Sequence, residues 1–175
     1  RAMTAMQDLI KQAFETNWQW TEQYIDGLSQ EEIEYRPNDQ CHSIGFILWH
    51  YGRAMDRWVQ SRAKGEPQLY EQGWAERLGK DPDPNDVGFG YGLEELGNWR
   101  CPDKEALVEY ATAIRENTLE YLYSLDEETM LSKGVVTRTG DTISVAAMFF
   151  HLLWEVNQHG GQAGYLRGMQ RGLNQ

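Results

Sequence analysis

The residues with the clearest chemical potential are a glutamate and two histidines spaced four apart: His151, Glu155 and His159. They lie within residues 144–172, where apolar residues recur at steps of four and three, as on one face of an amphipathic helix. Helix positions four apart differ by about 40° around the axis and about 6 Å along it, so Glu155 and His159 can reach one point. Burying a carboxylate and an imidazole is costly unless they are paired or coordinated, and a divalent metal ion would satisfy both.

A metal site of this kind requires at least a third protein ligand. The chain has four histidines, and the remaining two are His42 and His50. His50 lies in a second apolar helical segment, SIGFILWHYGRAMDRWV, whereas His42 precedes that segment and is expected in a loop. If the two helices are antiparallel neighbours, His50 comes to lie opposite the pair on the later helix. We therefore predict that His50, Glu155 and His159 bind one divalent ion.

His151 leaves a second possible register open. It is about 12 Å along the helix axis from His159, too far for both rings to bind one ion directly. The site therefore uses either Glu155 with His159 or His151 with Glu155. The Gly-Gly-Gln that follows His159 favours the first register, because Gln162 can then orient a ligand from outside the coordination shell.

The segments SIGFILWH and EVNQHGGQ resemble the DinB/YfiT-like family of four-helix metalloproteins. In that family one ligand is a histidine on the second helix, and the others form an (H/E)xxxH pair on the fourth helix. Carried over to this chain, these positions are His50, Glu155 and His159. Relatives often dimerise, so the resemblance also implies a homodimer.

The glutamate in the helix pair makes the sequence similar to the thiol-dependent branch of the family, which includes mycothiol-dependent maleylpyruvate isomerase. That similarity implies a metal-dependent thiol S-transferase or isomerase that acts on a small electrophile, with a low-molecular-weight thiol as co-substrate. Two imidazoles and one carboxylate suit Zn, Ni, Fe or Mn. The alternatives are a metal-dependent hydrolase and a non-catalytic metal- or ligand-binding bundle.

Two further groups of residues are candidates for contact with a substrate. Arginines at helical offsets from the ligands would form a basic patch for an anionic thiol; these are Arg53, Arg57 and Arg167. A long glycine- and proline-rich stretch, residues 66–102, is rich in aromatic residues. We expect it to be ordered and to cover the apolar part of a substrate, with Trp74, Phe89, Tyr91 and Trp99 as the covering side chains.

Four segments share the apolar spacing of a bundle helix: residues 4–27, a segment beginning at Ser43, residues 103–125 and residues 144–172. They predict an all-α four-helix bundle in a single domain, residues 1–175. The long stretch between the second and third helices is an excursion outside the bundle. Residues 133–144, KGVVTRTGDTIS, predict a small β-hairpin before the fourth helix.

Composition and charge exclude several classes of function. With 27 acidic against 16 basic residues the net charge is −11, which argues against a nucleic-acid partner. No apolar run approaches the ~20 residues that a membrane span requires. The first residues lack the pattern of a signal peptide, so we expect a cytoplasmic protein in which Cys41 and Cys101 are free thiols. The expected partner is a small-molecule substrate.

Overall fold

The computed structural model describes residues 3–172. Within that range the helices in chain order are α1 (Ala5–Ile25), α2 (Gln30–Glu34), α3 (Ile44–Asp56), α4 (Trp74–Arg77), α5 (Leu93–Asn98), α6 (Lys104–Ser124), α7 (Glu127–Ser132) and α8 (Val145–Arg171). The four long helices are α1, α3, α6 and α8, and α8 packs against both α1 and α3 while α6 packs against α3. The predicted all-α four-helix bundle is therefore confirmed. None of the described helices combines the length and apolar character needed to cross a bilayer.

The last helix begins where the sequence predicts. Ser144 caps it, because its hydroxyl oxygen accepts a hydrogen bond from the Ala147 N–H. Its core face is buried from Val145 to Leu166. On the side towards α1, Gly160 allows close approach, since a Cβ there would lie 3.2 Å from the Asn17 amide nitrogen. That nitrogen donates to the Val156 carbonyl oxygen at 2.9 Å and so ties α1 to α8.

The second long helix changes its hydrogen-bonding pattern after Asp56. It continues without a break as a π-helix over Arg57–Lys64, and it ends at Gly65, whose φ of +70° is in the left-handed region. The sequence predicts a simple α-helix here, because periodic apolar residues do not reveal one extra residue per turn. Short π-helical segments in proteins often occur at functional sites.

The predicted excursion packs against the bundle and carries short helices. It contains a 3₁₀-helix (Leu69–Gln72), α4 and α5. The two oxygens of the buried Asp56 carboxylate accept the N–H groups of Leu69 and Tyr70, which ties the start of the excursion to α3. The predicted hairpin is also present: β1 (Gly134–Val136) pairs antiparallel with β2 (Thr142–Ser144) directly before α8.

Candidate metal centre

His50 is held by the excursion. Its Nδ1 lies within hydrogen-bonding distance of the Val87 carbonyl oxygen. A carbonyl oxygen only accepts, so Nδ1 carries the proton and Nε2 keeps its lone pair. A metal-ligating histidine commonly donates its other ring N–H in this way.

The close approach of Val87 to His50 requires glycine at the next position. Gly88 has φ +74°, and a Cβ there would lie 2.7 Å from the Trp49 ring and 2.8 Å from the Phe46 ring. Both rings are fully buried on α3. Gly88 therefore lets the backbone lie flat on α3, with the Val87 carbonyl oxygen directed at His50.

His159 is oriented by a residue of its own helix. Its Nδ1 lies 2.8 Å from the side-chain oxygen of Gln162, which accepts the Nδ1 proton. Its Nε2 lies 3.3 Å from a carboxylate oxygen of Glu155. Gln162 thus takes the orienting position that the sequence predicts.

The three predicted ligands lie together, on α3 and α8. One ligand atom from each of His50, Glu155 and His159 falls within 4.8 Å of the other two, and no other such group occurs within residues 3–172. The His50 and His159 rings meet edge to face, with centroids 4.8 Å apart. Because Val87 and Gln162 occupy the Nδ1 atoms, both Nε2 atoms and the carboxylate are available to one divalent ion. This donor set fits the metal that the sequence predicts.

The electrostatics of the site also suit a cation. The polar contact with the His159 side chain lowers the pKa of Glu155, against the opposing effect of burial, so the carboxylate stays charged. Burial lowers the pKa of His50, although the Val87 carbonyl opposes that effect. A neutral imidazole and a charged carboxylate are the forms that bind a metal ion.

His151 lies at the edge of this group, outside the three-residue set. Its Nε2 is 3.7 Å from the second oxygen of Glu155, and its ring packs on Trp58 with centroids 5.1 Å apart. The side chain is 38% exposed, against 13% for His159. The geometry therefore assembles the register that uses His159, and metal binding by these residues stays a prediction.

The proposed basic patch is wrong at two of its three positions. The buried guanidinium of Arg53 lies 3.6 Å from the Tyr70 ring centre and donates to Gln68. Arg167 donates to the carbonyl oxygens of Tyr24 and Asp26. Helical offsets alone could not show this, because each arginine turns towards neighbouring backbone instead of the ligands. Arg57 has no such structural partner among the described residues.

Most of the proposed covering aromatics are partly buried and pack against the core. Trp74 packs on Tyr110, while Tyr91 and Trp99 pack on Phe46. Phe89 alone of the four is largely exposed, at 67%. It follows Gly88, and the Arg138 guanidinium carbon lies 5.0 Å from its ring centre.

Two features of the site have no clear signal in the sequence. One is the Val87 carbonyl group, because every residue has a backbone carbonyl and the residue type does not show which one accepts a hydrogen bond. The other is the π-helix after Asp56. The glycines of GFGYG give a partial signal, since Gly88 proves to be required by packing and by its positive φ.

The fold and the site define a helical-bundle protein with a candidate two-histidine, one-carboxylate metal centre. A sequence model of the DinB superfamily matches residues 13–163, and the chain belongs to that superfamily. The crystal structure of a conserved protein from Enterococcus faecalis is similar in fold, with a TM-score of 0.82 at 20% sequence identity. The match covers 96% of this chain and 98% of that one. No curated protein sequence matches the chain.

Proposed function

We propose that this protein is a metal-dependent thiol S-transferase of the cytoplasm, which joins a low-molecular-weight thiol to a small electrophile. The observation that carries the proposal is the convergence of His50, Glu155 and His159 within 4.8 Å, with both histidines oriented through Nδ1. Three protein ligands leave room for an exogenous one. A Zn, Ni, Fe or Mn ion bound there would lower the pKa of a coordinated thiol and fix the position of its sulfur.

His151 is a base outside the ligand set that lies beside Glu155. Its Nε2 lies 3.7 Å from Glu155, and its ring is partly open to solvent. In the transfer, a thiol S–H loses its proton to His151 Nε2, and the sulfur forms a bond to the electrophilic carbon. The leaving group departs from that carbon with the bonding electron pair. Glu155 stabilises the resulting imidazolium through its charge.

A conjugation assay tests this function. Metal-loaded protein is mixed with monochlorobimane and one thiol at a time: glutathione, coenzyme A, bacillithiol or mycothiol. We expect conjugation about a hundredfold or more faster than with the His159→Ala variant. General acid–base catalysis alone contributes about a hundredfold, and activation of the thiol by the metal should contribute at least as much. Metal content is measured on the same samples.

Other outcomes of the assay support the alternatives. Ester or amide hydrolysis without any thiol would identify a metal-dependent hydrolase. If stoichiometric metal is bound and neither reaction occurs, the protein is better described as a non-catalytic metal-binding bundle. A His151→Ala variant that keeps its metal and its full conjugation rate would exclude the role of proton acceptor.

We also propose a homodimer that forms through α1 and α8. Large exposed apolar side chains are concentrated on these adjacent helices: Leu9 and Trp20 on α1, and Phe150, Trp154 and Tyr165 on α8. Gly161, on the same side of α8, would have nothing within 4 Å of an added Cβ, so the surface there is open to a second helix. An extended apolar surface of this kind is typical of an interface.

The mass in solution tests this interface. We expect twice the chain mass at micromolar concentration, and a shift towards the monomer for Tyr165→Glu combined with Phe150→Glu, because carboxylates would be buried unpaired. Leu131→Glu, on the exposed surface of α7, is the matched control and should leave the mass unchanged. A monomeric mass for the unmodified protein would contradict the proposal.

A further inference from the structure

Three arginines form a cluster between the π-helix and the β-hairpin: Arg57, Arg62 and Arg138. No carboxylate lies within ion-pair distance of any of them in the described part of the chain. This is unusual in a chain whose acidic residues outnumber its basic ones by 27 to 16. Clustered cations without a carboxylate partner favour the binding of an anion.

Arg62 is the centre of the cluster. Its Nη1 donates to the Val136 carbonyl oxygen at 2.6 Å, and its guanidinium carbon lies 4.8 Å from the Trp58 ring centre. Burial, together with repulsion from Arg57 and Arg138, lowers the pKa of Arg62. An arginine remains charged in proteins, so the cost of holding these cations together remains until an anion offsets it.

The arginine cluster connects to the metal centre along two lines of contact. On one, Arg62 lies over Trp58, and Trp58 packs on His151, which neighbours Glu155. On the other, the Arg138 guanidinium carbon lies 5.0 Å from the centre of the exposed Phe89 ring. Phe89 is two residues after Val87, whose carbonyl oxygen holds His50.

The two lines of contact meet at both ends. The Arg62–Val136 hydrogen bond joins the two lines at the hairpin, and the His50–His159 ring contact joins them at the metal centre. The arginines and the candidate metal centre therefore lie at opposite ends of the same two lines of contact. Trp58 lies between them on one line and Phe89 on the other.

The spacing limits the shape of a ligand. Trp58 is eight residues after His50, about 12 Å along a helix axis. A two-carbon thiol bound at the metal could not reach the guanidinium groups. A peptide-sized or nucleotide-linked reactant could place its reactive atom at the ligands and its anionic group on the arginines.

We propose that Arg57, Arg62 and Arg138 bind the carboxylate or phosphate group of an elongated reactant whose reactive atom lies at His50, Glu155 and His159. The inference rests on the proposed function for the reaction, but the anion site itself can be tested without turnover. Guanidinium groups bind carboxylate and phosphate through charge-assisted, bidentate hydrogen bonds.

The test uses matched pairs of probes on the metal-loaded protein. Glutathione is compared with its diethyl ester, and coenzyme A with pantetheine; each pair shares a thiol and differs in anionic charge. S-methylglutathione carries the carboxylates without a free thiol. Binding is measured by calorimetry. Tighter binding of glutathione than of its diethyl ester would identify a carboxylate ligand, and tighter binding of coenzyme A than of pantetheine would identify a phosphate ligand.

Arg138→Gln is the most informative variant, since Arg138 is exposed and its described contact is the Phe89 ring. We expect it to weaken binding of the preferred anionic probe about tenfold, with no change for the neutral partner, because a hydrogen bond to a charged group is lost. Arg62→Gln should have the same effect, and Arg138→Lys should restore part of the affinity. Arg100→Gln is the control, because Arg100 is exposed and donates to neighbouring carbonyl groups.

The outcomes separate this inference from the proposed function. If the unmodified protein conjugates thiols but Arg62→Gln and Arg138→Gln bind every anionic probe normally, the anion site is wrong and the transferase stands. If S-methylglutathione binds in an arginine-dependent manner without any conjugation, the anion site stands and the transferase is wrong. Equal binding of anionic and neutral probes to the unmodified protein would overturn the anion site.

Discussion

The His159→Ala variant, loaded with zinc and then dialysed, will retain no stoichiometric metal. In the unmodified protein the ligand atoms of His50, Glu155 and His159 lie within 4.8 Å of one another. Removing one leaves two ligands, fewer than a protein zinc site uses. Loss of an orienting group alone costs about 10–100-fold in affinity, so loss of a ligand should cost about a hundredfold or more. Metal analysis after dialysis measures the result, and His50→Ala and Glu155→Ala should behave in the same way.

His151→Ala is the matched control, because His151 also neighbours Glu155 but lies outside the three-ligand group. It should keep one equivalent of metal. Gln162→Ala should give an intermediate loss of about 10–100-fold, since it removes only the acceptor that orients His159. If His151→Ala lost the metal and His159→Ala kept it, the site would lie one helical turn earlier.

The pH dependence of metal affinity is a second readout of the same ligand set. Burial lowers the pKa of His50, so this ring is neutral at pH 7 and takes up a proton only below the usual histidine range. The pKa of Glu155 is also lowered, and that carboxylate stays charged over the same interval. Affinity should therefore hold near pH 7 and fall once the pH drops below the usual histidine range, as protons compete for the His50 imidazole. Affinity that is constant down to pH 5 would argue against histidine ligands.

The parts of this site that follow from helix periodicity could be predicted from the sequence. Glu155 and His159 are four apart on one helix, so their proximity needs no knowledge of the tertiary fold. The pairing with His50 needs one further assumption, that its helix is a neighbour of α8, and the packing of α3 on α8 satisfies it.

The path of the excursion could not be predicted, because long-range burial determines it. The Arg53 guanidinium accounts for part of that path, since it donates to the carbonyl oxygens of Asp83, Pro84 and Asp86. These bonds bring the following Val87 to His50. Residue types alone do not show which backbone carbonyl groups accept these hydrogen bonds, nor that Arg53 is their common donor.

The π-helix has no signal in the sequence for a related reason. Trp58 continues the apolar seam of α3 in sequence, yet it is only partly buried and lies beside Arg62 and His151. The wider turn alters which side chains face the bundle after Asp56. The backbone shows the change where the Gly65 N–H donates to the Gln60 carbonyl oxygen, five residues earlier. No local preference in the segment RWVQSRAK indicates such a bond.

Asp56→Ala will lower the free energy of unfolding by about 3–5 kcal/mol, the range found when one partner of a buried ion pair is removed. Arg53 and Asp56 are both 0% exposed, with 3.8 Å between their nearest charged atoms. Without the carboxylate, Arg53 is left as a buried charge without its counterion. The N–H groups of Leu69 and Tyr70 also lose their acceptors, at 3.0 Å and 2.9 Å.

Urea unfolding in the presence of a chelator measures this effect without a contribution from bound metal. Glu109→Ala is the matched control, since it removes a carboxylate from an exposed pair with Arg77 and should cost less than about 1 kcal/mol. Asp56→Asn keeps the shape but turns an N–H group towards a backbone donor, so it should also be clearly destabilising. If Asp56→Ala unfolds at the same urea concentration as Glu109→Ala, Asp56 does not anchor the excursion. Because the excursion carries Val87 to His50, the same Asp56→Ala protein should also bind metal more weakly while it is folded.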